Sequence, residues 1–395
     1  MIPSVRIGLF GLLGSGNLGN DGSFEAVLGY LRAEHPDAAI SVMCGGPEIV
    51  ASRHEIETIA LNWYQGEYRT ASRPWAIATK AMGKLVDIGR TASWVRKQDV
   101  VIVPGMGVLE STLPLRPWGF PYSLLLLSAS GRLVGTKVAL VSVGANVSGH
   151  RATRSIIGRA ARLASFRSYR DEPSREAMRE MGVDVTNDRV YPDLAFALQA
   201  PSEPVVPRSV GVGVMAYHGG NDDRARAHEI YESYVDKMTK FVAHLVEDGR
   251  PVRLFIGDLA DHQVVDEIMK ELDSPLISAA DTSTLDDVMR AMSTVETVVA
   301  TRYHNILCAL KLAKPTLSVG YARKNEVLMA QLGLGEFCQS ARDIDVDGLV
   351  GQFTELESRA EELSETLAKR GAEQTRLLER QFSELSATFL PMGVR

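Results

Sequence analysis

The sequence predicts an α/β protein made of two doubly wound domains, each on a parallel sheet, and three observations carry that expectation. Short apolar runs break at glycines around residues 10, 45, 105 and 144, the pattern of buried parallel strands whose loops share one edge. Pro201, Pro204 and Pro207 then interrupt the chain, and the strand–loop–helix alternation restarts at Val210. At 395 residues, the chain is also too long for one ordinary core. The expected division is a first domain at 1–200, a linker at 201–209, a second domain at 210–345 and closing helices at 346–395.

Taken in order, Val5–Phe10 reads as the first strand, GLLGSGNLGNDGS as a glycine-rich loop and Phe24–Ala33 as a helix. The glycine spacing does not open a helix as G-x-G-x-x-G, and no P-loop lysine follows, so no cofactor is expected there. Asn17 and Asn20 offer hydrogen-bonding groups. Asp21 either caps the helix or orients and deprotonates a hydroxyl. Ala39–Met43 is a second strand. From His54 to Trp94 no strand period is evident, and the region reads as mostly helical. Its Trp63, Tyr64, Tyr68 and Trp75, with Arg53, Arg69 and Arg73 nearby, suit either the faces of sugar rings or an inter-helical core. Further strands are Asp99–Val103, ending in Pro104-Gly105-Met106-Gly107, Lys137–Val143 and Ala164–Tyr169. Thr112–Tyr122 is a proline-rich loop ahead of an apolar helix. DEPSREAMREMG is a capped helix, with Pro173 at its start and Gly182 just past its end. Asp193 reads as a structural hydrogen-bonding residue.

The second half repeats the scheme. Val210–Met215 is a strand, followed at its edge by Tyr217 and His218, which join the substrate-binding candidates. A long helix at Ile230–Glu247, a strand at Val252–Ile256 and a helix from Asp261 lead to the stretch that organises the chain. There Val298–Ala300 is a strand, Thr301–Asn305 a turn, Ile306–Ala313 a helix and Thr316–Val319 another strand. Side chains just past a strand's carboxyl end line the ligand crevice of an open α/β sheet, and a helix start there favours anions. Arg302 and His304 occupy the turn, while Tyr321, Arg323 and Lys324 leave the next strand at a comparable height. These side chains are expected to converge on an acidic small molecule, arginine matching planar anionic oxygens and lysine supplying a point charge. Apolar spacing from Phe353 to Leu367 and from Leu378 to Phe389, on either side of Gly371, gives the closing helices.

Composition narrows the partners. Charged residues are 23% and apolar ones 45%, the mix of a folded globular protein. A net charge of −6 argues against nonspecific nucleic-acid binding over a broad basic surface. Cys44, Cys308 and Cys338 form neither a disulfide framework nor a zinc cluster, and no clustered carboxylates call for a metal. A reducing cytoplasm is the expected setting. The N-terminal run lacks the basic flank of a signal peptide, and Tyr122–Ala129 falls short of a membrane span.

At Arg302, His304, Tyr321 and Lys324 the sequence resembles the polysaccharide pyruvyl transferase family. The similarity extends to Gly16–Asp21, Pro104–Gly107, Ser142-Val143-Gly144, Arg170–Ser174 and Asp193–Phe196, and so spans most of residues 5–330. It implies two Rossmann-like domains facing a cleft, as in the GT-B glycosyltransferases. It also implies transfer of the enolpyruvyl group of phosphoenolpyruvate to a sugar hydroxyl pair as a cyclic ketal. By the resemblance, Arg302 and His304 match the family's donor-contacting arginine and histidine. Residue chemistry adds Lys324 for the remaining negative charge, His304 as general acid and Asp21 as the acceptor-orienting group. Two departures stand out: Gly105-Met106-Gly107 replaces three consecutive glycines, and Tyr217-His218 follows a strand where an arginine is expected.

The expected partners are phosphoenolpyruvate and a saccharide or lipid-linked saccharide, with peripheral membrane association through the acceptor and a homo-oligomer as further expectations. The competing readings are a nucleotide-sugar glycosyltransferase, which needs a nucleobase pocket, and a non-catalytic carbohydrate-binding protein, which leaves Arg302, His304 and Lys324 without a role.

Overall fold

The computed structural model describes residues 5–64, 74–110 and 117–390. They group into two compact units. The first comprises Met1–Ser15, Ser23–Leu194 and Glu379–Arg395, and the second Gly16–Gly22 and Ala195–Leu378.

The first unit is built from β1 (Arg6–Gly11), α1 (Leu18–Glu34), β2 (Ala39–Cys44), α2 (Pro47–His54), β3 (Glu57–Ala60), α3 (Pro74–Val95) and β4 (Val100–Pro104). It continues with α4 (Phe120–Val134), β5 (Lys137–Val143), α5 (Arg151–Leu163), β6 (Phe166–Tyr169), α6 (Glu172–Glu180) and β7 (Arg189–Val190). Its seven strands lie in the order β3-β2-β1-β4-β5-β6-β7, all parallel. The strand order reverses between β1 and β4. β4 is buried along its whole length, as expected of a central parallel strand covered on both faces. Local chemistry sets the helix ends. Asp171 accepts from the Ser174 amide at 2.7 Å to open α6 with Pro173 in its first turn, and Gly182 exits in the left-handed region at φ 79°.

The second unit follows the same plan with β8 (Val210–Gly213), α7 (Ala227–Glu247), β9 (Val252–Phe255), α8 (His262–Leu272), β10 (Ile277–Ala279) and α9 (Leu285–Ser293). After these come β11 (Thr297–Ala300), α10 (Tyr303–Lys311), β12 (Thr316–Gly320), α11 (Arg323–Leu332), β13 (Cys338–Ser340), α12 (Val346–Ser358) and α13 (Ala360–Phe389). The sheet order is β10-β9-β8-β11-β12-β13, again all parallel, and it reverses between β8 and β11. The last turns of α13 belong to the first unit, where Phe382 stacks on Tyr30 at 4.5 Å and Gln381 donates to Ser168 Oγ at 2.7 Å.

Several boundaries differ from the sequence expectation, each for a local reason. α1 begins at Leu18 rather than Phe24, because Asn17 Oδ1 accepts from the Asn20 amide at 3.2 Å and caps the helix six residues earlier. Gly19–Gly22 is therefore helical, and Gly16–Gly22 groups with the second unit. The chain passes into that unit at Ala195, ahead of the three prolines. β3 gives no sequence signal because it is a four-residue edge strand with no buried position and hence no alternation. β7 and β13, of two and three residues, carry as little. Gly371 does not interrupt α13. The break falls at Arg359, between α12 and α13.

Candidate active site

The second unit's strand reversal sets the site. Gly213 pairs with Ala300 at the carboxyl ends of β8 and β11, and the Thr301 amide donates to the Gly213 carbonyl at 2.9 Å. Val214–His218 and Thr301–Asn305 therefore emerge side by side at the switch point, where open α/β sheets bind ligands. α10 starts one residue after Arg302, which places His304 and Asn305 inside its first turn rather than in the turn before it.

Arg302 is not a loose surface cation. Its Nε and Nη2 donate to the two oxygens of Asp261 at 2.9 and 2.6 Å. The same carboxylate, 0% exposed, accepts from the amides of Ala216 at 2.9 Å, Gly257 at 3.2 Å and Asp258 at 3.0 Å. Burial acts to lower the Arg302 pKa, but the hydrogen bonds and charge of Asp261 more than offset it and the net direction is upward. With the Nε–Nη2 edge engaged, the Nη1–Nη2 end of the guanidinium remains for an anion, on a side chain 20% exposed. Gly257 makes room for the pair, since a Cβ there would stand 2.9 Å from Arg302 Cγ. In the sequence Asp261 reads only as a helix start; its signal is a second aspartate, three residues after Asp258, in the turn beyond β9.

Lys324, in the first turn of α11, holds its ammonium 5.6 Å from the ring centre of Tyr303 and 5.5 Å from that of Tyr321, both cation–π distances. Tyr321 also acts electrostatically on Arg302, so this tyrosine lies near both cations. Arg323 opens α11 on its exposed side. Tyr217 is buried, edge-on to Tyr234 at 5.8 Å, and burial raises its pKa. Tyr234 in turn bonds Thr301 Oγ1 at 2.7 Å, so Tyr217 packs against the residue that ties down the turn. His218 is exposed and stacks on Tyr231 at 4.8 Å. Thus Tyr303 and Tyr321 draw Lys324 to the turn that carries Arg302 and His304, Tyr217 reaches that turn through Tyr234, and His218 and Arg323 are exposed.

The Gly16–Gly22 segment closes onto the same place. Asn17 bridges Asp258 in antiparallel fashion, and the Leu18 amide donates to the Gly257 carbonyl at 3.3 Å. Gly19 lies flat on the His304 imidazole, where a Cβ would fall 1.9 Å from Nδ1. Only glycine allows that approach. Asn20 and the buried Asp21 follow on the same turn of α1. Gly19→Ala should lower the melting temperature, because the new Cβ overlaps the ring from Cγ to Cε1 and not merely its far end. It should also lower the single-turnover rate of the folded protein about tenfold to a hundredfold by displacing the ring. A folded variant with wild-type single-turnover rate would contradict this placement.

In the first unit a separate charged cluster gathers at the ends of β4–β6. Arg170 pairs with Glu110, and lies 3.6 Å from both Asp171 and Asp193, consistent with a structural role for Asp193. Met106, at φ 62° and buried, turns its side chain over Gly11. Tyr68, Arg69, Arg73, the Trp75 side chain and part of Thr112–Tyr122 lie outside the described residues. Among the described residues no group of three or more His, Cys, Asp or Glu is placed to hold a metal ion.

The family model for polysaccharide pyruvyl transferases matches residues 17–323, most of the chain and every residue of this site but Lys324. The chain belongs to the polysaccharide pyruvyl transferase family. As a pyruvyl transferase family member it is a transferase by kinship, and no curated protein matches it. Solved structures share its fold. UDP-GlcNAc 2-epimerase from Neisseria meningitidis, solved with UDP-GlcNAc, aligns with a TM-score of 0.56 at 12% identity over 95% of this chain and 99% of its own. The glycosyltransferase SnogD from Streptomyces nogalater gives 0.58 at 16% identity over 98% and 99%. MurG from Acinetobacter baumannii gives 0.57 at 12% identity over 96% and 99%. These are GT-B fold enzymes, and at such identities the pyruvyl transferase family member shares their fold of two parallel-sheet α/β domains.

Proposed function

We propose that this protein transfers the enolpyruvyl group of phosphoenolpyruvate to a pair of saccharide hydroxyls, closing a cyclic pyruvate ketal and releasing phosphate. The observation that carries the reading is that Arg302 and His304 stand at the switch point of a family member's second unit, with Lys324 reaching Tyr303 from the start of the helix after the neighbouring strand. Phosphoenolpyruvate presents a carboxylate and a phosphate, and the site presents two cationic groups of different kinds. The Nη1–Nη2 end of Arg302 suits a planar carboxylate or two phosphate oxygens, while Lys324, its ammonium set against the Tyr303 and Tyr321 rings, attracts the remaining anion.

The chemistry is then a matter of proton accounting. An acceptor hydroxyl adds to the donor's central carbon, giving up its proton to Asp21, as His304 delivers a proton to the methylene carbon, which becomes the methyl group. Solvent later carries the proton from Asp21 and restores the one on His304. The second hydroxyl displaces phosphate from that same carbon, its own proton leaving with the phosphate, and the ketal closes. Asn17, Asn20 and Asp21, carried on the segment that packs against His304, are assigned to the acceptor side, with Asp21 orienting the attacking hydroxyl. The donor is a substrate, and the reading assigns no cofactor and no metal.

The test is incubation of the purified protein with phosphoenolpyruvate and a panel of free and lipid-linked saccharides, following phosphate release and product mass. The expected product is heavier than its acceptor by one pyruvate less one water, with one phosphate released per ketal. A second reading, nucleotide-sugar glycosyl transfer, is favoured by the UDP-GlcNAc-bound structure among the neighbours. Consumption of a UDP-sugar with glycosylated product, and no phosphate from phosphoenolpyruvate on any acceptor, would replace the first reading with the second.

A further inference from the structure

Helix α3 of the first unit turns an apolar side outward. Its core-facing positions Gly83, Asp87, Thr91 and Trp94 are buried at helical spacing. The opposite arc carries Met82 at 50% exposure, Leu85 at 69%, Val86 at 36% and Ile88 at 44%. An ordinary solvent-facing helix shows the reverse arrangement, with polar residues outward. Two exposed tryptophans stand beside the helix at Gly83 and Lys84, off the arc itself. Trp63 lies 3.4 Å from where a Gly83 Cβ would stand, and Trp118 packs edge-on to Tyr122 at 5.9 Å, whose hydroxyl donates to the Lys84 carbonyl at 3.0 Å.

The charge around this arc is opposite to that of the whole chain. Residues 74–97 hold five cations, Lys80, Lys84, Arg90, Arg96 and Lys97, against the single carboxylate of Asp87, in a protein of net charge −6. That carboxylate is turned inward at 4% exposure, where it accepts from the Trp63 amide at 2.7 Å and lies 3.7 Å from Lys84 and 3.4 Å from Arg90. Lys84 and Arg90 are themselves drawn inward, Lys84 donating to Asn62 Oδ1 at 2.9 Å and Arg90 to the Ala60 carbonyl at 3.0 Å, so the exposed cations are Arg96 and Lys97 just past the end of α3. The outward surface therefore combines the apolar arc with these two cations, and the helix contributes no carboxylate to it.

We propose that this face of α3 seats the protein on an anionic lipid bilayer. An amphipathic helix lying in the plane of a bilayer buries its apolar arc at the acyl boundary, keeps tryptophans at the headgroup level and pairs its cations with anionic headgroups. Among the described residues no helix is long and apolar enough to cross a membrane, so the association is peripheral for these elements. A nucleic acid would use the cations but leave Met82, Leu85, Val86 and Ile88 in water, and a neutral protein surface would not call for the cations. The proposal stands apart from the pyruvyl-transfer reading, because it rests on another face and another unit.

The experiment is flotation of the full chain with vesicles of phosphatidylcholine alone and of phosphatidylcholine containing one third phosphatidylglycerol. The protein is expected to float with the anionic vesicles, to remain behind with the neutral ones, and to be released as salt is raised. Leu85→Glu should reduce the bound fraction about tenfold, and Arg96→Gln and Lys97→Gln about fivefold each. All three positions are exposed, so the melting temperature checks that the variants fold. Absence of flotation, equal binding to both vesicle types, or unchanged binding in folded variants would overturn the proposal. So would a wild-type dimer, seen by light scattering, that Leu85→Glu turns into a monomer without any flotation, since the face would then be occupied by a second copy.

Discussion

His304→Ala is expected to lower the single-turnover rate with a verified acceptor by roughly 10²–10⁴-fold, the range for a positioned acid–base group. The fold should tolerate the change. The residue lies in the first turn of α10, the ring is only part-buried, and alanine is a good helix former. His304→Gln separates the remaining roles. Glutamine keeps a polar group against Gly19 and beside Tyr303, so donor affinity should stay within a few-fold, but it cannot deliver a proton near neutral pH. The expected pattern is therefore near-normal phosphoenolpyruvate titration, normal melting and a deep loss of rate in both variants. A purely structural histidine gives the opposite pattern: lowered melting, with a turnover loss that tracks the folded fraction. Near-normal rates in both folded variants would move the proton donor elsewhere, with Asp21 the next candidate on the same unit.

The parallel sheets were legible because central strands such as β4 and β11 are buried on both faces and read as unbroken apolar runs closed by Gly or a polar turn. The crowding of Arg302, His304 and Lys324 was legible for a related reason, since chain order alone determines which residues sit just past each strand's carboxyl end. The features that stayed hidden depend on partners distant in sequence. Nothing local to Arg302 announces that Asp261, 41 residues earlier, will take two of its donors. Nor does the glycine run reveal that Gly19 will lie on the His304 ring and its segment join the second unit. Asn17 shows how a small local interaction shifts a boundary: one side-chain acceptor turned an expected loop into the first turn of α1.

The buried pair also changes what an arginine deletion reports. Arg302→Ala leaves the Asp261 carboxylate at 0% exposure with three backbone amides but no counter-charge. Removing one partner of a buried ion pair costs about 3–5 kcal/mol, so the variant should lose stability as well as donor binding. Reading its donor affinity alone would confuse the two losses. The double variant Arg302→Ala/Asp261→Ala removes both charges together and should be less destabilised than the two single variants summed, a coupling that denaturant titration of all four proteins measures directly. Asp261→Asn then asks what the carboxylate does for the donor. As a counter-charge alone, Asp261 weakens the field at the site, and its loss should tighten phosphoenolpyruvate binding. As the group that holds Arg302 by its Nε–Nη2 edge and aims the other end at the ligand, it should be required for binding. The geometry favours the second role, because the two bonds of 2.9 and 2.6 Å fix the plane of a guanidinium whose value to an anion lies in that plane. Asp261→Asn is accordingly expected to weaken phosphoenolpyruvate binding about tenfold or more, corrected for folded fraction, although the site becomes more positive. A folded Asp261→Asn protein that binds phosphoenolpyruvate as tightly as wild type, or more tightly, would reduce Asp261 to a counter-charge and leave the orientation of Arg302 to the backbone around Gly257.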